Sequence, residues 1–157
     1  MWHSTFIALH ALAGLVALVC GCLALYGRYR LLTAYLISLA LMTILLAAAI
    51  GADWDSIGTG ARVLFVAFIA LACFMVWRGW MAYRLRRGER YVDHLGFTLV
   101  ALLDAFMVIL VLDLTGSGLA AVTTGVVVAV AGHHVLVAVK RRLLSPAEPP
   151  AELRRTS

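Results

Sequence analysis

Five apolar runs, each about as long as a bilayer is thick, take up most of the chain: residues 5–26, 31–51, 63–83, 94–114 and 119–139. A hydrocarbon core of roughly 30 Å needs about 20 helical residues at a rise near 1.5 Å, so each run predicts a membrane-spanning helix. The chain has 157 residues, of which 64% are hydrophobic and 13% charged, and its mean hydropathy is +0.99. A soluble domain of that size cannot bury so much apolar surface, so lipid must solvate it. The expected fold is therefore an all-α integral membrane protein, a bundle of five transmembrane helices forming one domain over residues 1–142. Residues 143–157 read as a disordered cytoplasmic tail, because Pro146, Pro149 and Pro150 sit there among mixed charges.

The connectors carry the orientation. Arg28 and Arg30 lie in the first, Arg84, Arg86, Arg87 and Arg90 in the third, and Lys140, Arg141, Arg142, Arg154 and Arg155 after the last run. Against these eleven, the connectors of the other side hold Arg62 alone. By the positive-inside rule the amino terminus is outside and the carboxyl terminus cytoplasmic, as an odd number of spans requires. The net charge of +5 is thus a topology signal flanking apolar runs, and no basic face for nucleic acid is expected. The first run is long, lacks a positive start and is followed by arginines, so it is expected to be retained as a helix rather than cleaved. Cys20, Cys22 and Cys73 lie inside apolar runs without CxxC or Cys/His ligand spacing, which predicts small packing residues and no metal site.

Two glycine–alanine stripes mark expected packing faces. In the first run His3, His10, Gly14, Ala17 and Gly21 follow one another at spacings of 7, 4, 3 and 4, which keeps them on one face of a helix. In the last, Ala121, Gly125, Ala129 and Gly132 recur at spacings of 4, 4 and 3. Small residues on such stripes let helices approach closely.

Polar residues inside the runs are the candidate site. Asp104 stands near the middle of the fourth run, in LVALLDAFMVIL, where a carboxylate costs several kcal/mol unless protonated, paired or beside water. Depth counted at 1.5 Å per residue puts His133 roughly 9 Å and Asp104 roughly 15 Å from the cytoplasmic boundary, an offset that side chains can span. Arg78 is expected either to snorkel between Trp77 and Trp80 or to pair with Asp104. The cytoplasmic half thus collects Arg78, His94, Asp104, His133 and His134; the outer half has His10, Asp113 and the Asp53-Trp54-Asp55 connector. Adjacent helical residues diverge by about 100°, so His133 and His134 cannot both face one point. One of them is expected to turn toward Asp104 or His94.

The opening His10-Ala-Leu-Ala-Gly14, the basic pair Arg28 and Arg30, and the basic turn YRLRRGERYVDH from Tyr83 to His94 together resemble a bacterial multi-pass membrane family of unknown function. Its members open on a His-x-x-x-Gly helix and carry a basic turn ending in histidine, and the likeness spans about residues 6 to 110. Leu31-Leu32-Thr33 stand where the family tends to place a further histidine, and Leu95-Gly96-Phe97 replace its basic-aromatic run. The resemblance implies a multi-pass topology and a bacterial inner membrane, and no particular activity.

Three function classes follow. A non-catalytic accessory or scaffold subunit, docking other membrane subunits or a second copy through Gly/Ala faces, accounts for the stripes. Proton-coupled or small-solute transport would use Asp104 and His133 as a relay. Electron transfer through a b-type haem would use His94 with His133 or His134 as axial ligands. Hydrolase chemistry is disfavoured, since GxSxG, HExxH and Gly-rich phosphate loops do not occur.

Overall fold

The computed structural model describes residues 2–52, 54–56 and 58–144, and every regular element among them is helical. The helices are α1 (Trp2–Leu25), α2 (Leu31–Ala52), α3 (Thr59–Leu85), α4 (Glu89–Thr115) and α5 (Gly118–Leu144), with one 3₁₀ turn, Trp54–Ser56, between α2 and α3. All five contain a stretch long and apolar enough to cross a membrane.

Three helices run past the ends of their apolar runs. α3 starts at Thr59 rather than 63, α4 at Glu89 rather than 94, and α5 continues to Leu144 rather than 139. Loss of hydrophobicity marks where a bilayer ends, not where a helix ends. Arg, Lys and Glu are good helix formers and continue α4 and α5 past their apolar runs. Helix α5 takes in residues 143 and 144 of the expected tail; residues 145–157 lie outside the described residues.

The third connector, expected over residues 84–93, shrinks to Arg86, Arg87 and Gly88. Arg86 adopts the left-handed conformation (φ 55°) and its N–H donates to the Ala82 carbonyl at 2.9 Å, closing α3; Gly88 follows at φ 92°. Left-handed backbone costs a side-chain-bearing residue about 1–2 kcal/mol, and Gly88 supplies the second positive φ of this tight reversal without that cost. At the other reversal, Gly116 (φ 64°) closes α4 by donating to the Leu112 carbonyl at 2.8 Å.

Helices α1 to α4 form a closed ring in which α1 packs on α2, α2 on α3, α3 on α4, and α4 back on α1. Neighbours are antiparallel, as short connectors require. Helix α5 stands outside this ring and packs along α4. The up-and-down path gathers the arginine connectors and the end of α5 at one basic end of the bundle. The residues between α2 and α3 and the Gly116–Ser117 turn lie at the opposite end.

Tyr35 fills the axis of the ring. It is fully buried, along with Leu32, Leu39, Leu95 and Thr98, and its hydroxyl hydrogen-bonds the Thr98 hydroxyl of α4. Gly21 of α1 and Gly79 of α3 press on its ring from opposite sides: a methyl on either would stand 3.0–3.2 Å from a ring carbon. The large residue on one helix thus requires small ones on two others.

Candidate functional site: the α4–α5 seam and the basic end

Side-chain contacts fix the register of α4 against α5. Lys140 bridges Asp93 (2.8 Å) and Glu89 (2.7 Å) at the basic end. One turn deeper Gly96 receives Leu136, then Gly132 meets Val100, and Gly125 meets Val108. A methyl on Gly132 would lie 2.5 Å from a Val100 methyl, so this close approach depends on glycine. Ala121 is buried nearer the opposite end. Ala129, expected on the same stripe, is exposed, while Val128 is partly covered. Two successive steps of four carry residue 129 about 80° round from 121, and the step of three returns residue 132 to within about 20°.

Asp104 faces this seam. Its carboxylate oxygens lie 3.6 and 3.9 Å from where a Cβ on Gly125 would stand. Oδ1 is buried without a hydrogen-bond partner. The absent side chain of Gly125 gives the carboxylate its room.

His133 and His134 are brought together with neither Asp104 nor His94. Both are exposed on α5, and their rings meet each other edge to face at 5.9 Å. The expectation that one would turn toward α4 fails because the seam is taken by Gly125, Val128, Gly132 and Leu136. Residue 133 lies about 100° round from 132, and 134 about 160° from 136. The register also sets His133 level with residue 99 or 100 of α4, roughly 8 Å along the axis from His94.

His94 points toward α3, where its ring stands edge-on to Trp77 at 6.2 Å, and its Nδ1 is buried without a partner. A b-type haem held by His94 with His133 or His134 of the same chain therefore does not fit. One imidazole is committed to the α3 side of α4, and the other two face away from the bundle at another depth.

Arg78 reaches neither Asp104 nor the gap between Trp77 and Trp80. Its guanidinium donates to the Asp93 carbonyl at 3.0 Å and lies over Phe97 at 4.7 Å and Phe74 at 5.8 Å. It is level with Asp93, eleven residues along α4 from Asp104, or roughly 16 Å at 1.5 Å per residue. Around it the basic end is lined with rings: Trp80 stacks on Tyr83, Tyr29 meets Tyr91, Arg86 covers Tyr83 and Arg87 covers Tyr29. The hydroxyl of Tyr91 donates to the Ala24 carbonyl at 3.0 Å, satisfying an acceptor in the last turn of α1. At the opposite end Arg62 lies over Trp54 at 5.2 Å. Aromatic and arginine residues at both ends, with hydrocarbon between, are the side chains that settle at membrane–water interfaces.

On α1, His10 Nδ1 lies 2.9 Å from the Met42 carbonyl of α2, and its N–H donates there. Gly14 packs against Phe106 and Met42, Ala17 is fully buried, and Gly21 meets Leu99 and Tyr35. This face is thus shared between α2 and α4. The side chain of His3 lies outside the described residues. Asp113 is exposed near the opposite end. Cys20 is partly covered and Cys22 and Cys73 are exposed; among the described residues no group of three or more His, Cys, Asp or Glu is placed to hold a metal ion.

The most deeply buried polar pair, Tyr35 and Thr98, had no place in the sequence-based expectation. Their sixty-three-residue separation leaves no local pattern. The one available signal is that each is a hydrogen-bonding residue in the interior of a span, where its hydroxyl must find a partner.

No family model matches the chain, and neither does any curated protein or solved structure. The likeness of its opening helix and basic turn to a multi-pass family therefore assigns no family.

Proposed function

We propose that this chain is a non-catalytic accessory or scaffold subunit of a cell membrane, in the bacterial setting that the resemblance implies, with its amino terminus outside and its carboxyl terminus in the cytoplasm. The observation that carries this reading is the division between a ring of four helices, closed on a filled axis, and α5, which among the described residues is attached chiefly along α4. A ring plugged by Tyr35, Leu39 and Leu95 uses its interior for cohesion. Helix α5 turns a thin strip toward α4 and leaves Val122, Val126, Val127, Val130 and Val135 uncovered beside two imidazoles. Lipid is one neighbour of that surface, and another membrane span is the other. The arginines at the basic end supply the orientation under the positive-inside rule, and the charge pattern provides no nucleic-acid face.

A photo-crosslinking amino acid placed at Val126 or Val130, in native membranes, tests the reading. Protein adducts several-fold above those from Ile37 and Ile44, exposed on α2, are expected. Adducts equally sparse at all four positions would overturn it.

Asp104 supports a second reading, proton-coupled or small-solute transport, because a buried acceptor without a partner is what a proton or cation site requires. Liposome flux that disappears in Asp104→Asn while the fold persists would replace the scaffold reading by this one. His133 faces away from Asp104, so the relay would run through Asp104 without it.

A further inference from the structure

We infer that the exposed face of α5 carrying His133 and His134 is the contact surface for a second copy of this chain, related by a two-fold axis along the membrane normal. The inference rests on the scaffold reading above and names the partner.

The two imidazoles are the reason. Both project from the outer face of α5, where their rings meet edge to face, and among the described residues neither has a hydrogen-bond partner. Lys140, whose ammonium is held by Glu89 and Asp93, marks the basic end of α5. His133 and His134 lie seven and six residues deeper, roughly 10 and 9 Å at 1.5 Å per residue. A lysine's four-carbon stem covers much of such a distance; an imidazole sits too close to its backbone to do so. Left against acyl chains, each ring would hold a polar N–H and a polar ring nitrogen without compensation.

A second copy inserted in the same orientation satisfies this requirement. A two-fold axis along the normal sets every residue of α5 at the depth of its own counterpart. Neutral imidazole is self-complementary, one nitrogen donating and the other accepting. The rings of one copy therefore find matching partners at their own depth in the other. The approach is open, because no residue from Ala120 through Gly132 is larger than Val. Valine and alanine lose little side-chain freedom when packed, and membrane helix pairs form along such surfaces.

Two differently tagged copies, co-expressed with Cys20, Cys22 and Cys73 replaced by Ala and Val130 replaced by Cys, test this by mild oxidation in native membranes. A disulfide between the two tags is expected, with Ile44→Cys as the unreactive control. Energy transfer between labelled copies in vesicles, titrated by lipid dilution, then reads the association constant. It should fall about threefold for each imidazole bond lost in His133→Leu and His134→Leu and recover in His133→Gln and His134→Gln, which keep a donor and an acceptor. Undiminished association of the leucine variants would overturn the role of the imidazoles. If the tags fail to join while Val130 still crosslinks to a different membrane protein, the self-partner is wrong and the scaffold reading stands. If neither adduct forms, both fail.

Discussion

Helices α1 and α5 are built from the same device, small residues at helical spacing beside histidine, yet they are used differently. Gly14, Ala17 and Gly21 of α1 are all covered, and His10 spends its N–H on the Met42 carbonyl. On α5, Ala121, Gly125 and Gly132 meet α4, while Ala129, His133 and His134 stand outside. The difference comes from how many neighbours each helix has. Helix α1 lies between α2 and α4 and buries a wide face. Helix α5 packs chiefly on α4 among the described residues and covers one strip. A small-residue stripe therefore licenses close packing without saying how much of the helix will be packed.

The contrast between ring and flank can be broken at its strongest point by Tyr35→Ala. Removing the axial ring should cost the four-helix unit about 3–5 kcal/mol, as large aromatic truncations in packed cores do, seen as a lower unfolding temperature in detergent. A change within error would mean that the ring does not close on Tyr35. Gly132→Leu strikes the flank: overpacking at Val100 should cost about 1–3 kcal/mol. Proteolysis or hydrogen exchange should then show α5 loosened while α1 to α4 stay protected. Loss of protection throughout would show that ring and flank fold as one unit.

Asp104→Ala sharpens the comparison by its sign. If the buried Oδ1 has no partner, deleting the carboxylate should stabilise the seam by about 1–3 kcal/mol, the cost of an unsatisfied buried group. Destabilisation would reveal a bound cation or water. The smallest effect is expected from Lys140→Met, because the ammonium and its two carboxylates are partly exposed at the basic end. Ion pairs open to solvent contribute little to stability, so the shift in unfolding temperature should be slight and should vanish in high salt.

Particular residues show why some features were legible beforehand. The five spans follow from apolar runs whose length is dictated by the bilayer, and Gly27, Gly88 and Gly116 punctuate the reversals with positive φ. The helix ends at Glu89 and Leu144 were not legible, because charged residues close an apolar run while continuing a helix. Asp104 stood out by its cost in hydrocarbon, and its environment beside Gly125 depended on the register of α4 and α5. Arg78 was visible as a cation among aromatic residues; its seat over Phe97 and Phe74 depended on which face of α4 it met.

The sequence by itself determined the helical class, the number of helices long and apolar enough to cross a membrane and the clustering of arginines at one end, because these depend on hydrophobic length and charge counted along the chain. Only the tertiary structure decided that four helices close on Tyr35 and Thr98, that α5 lies outside, and that its histidines face away from Asp104. Those outcomes depend on the rotation of each helix about its axis, and in a span apolar on every side the hydrophobic pattern leaves that rotation open. Packing resolves it, through glycines that admit a neighbour and bulky side chains that fill the space.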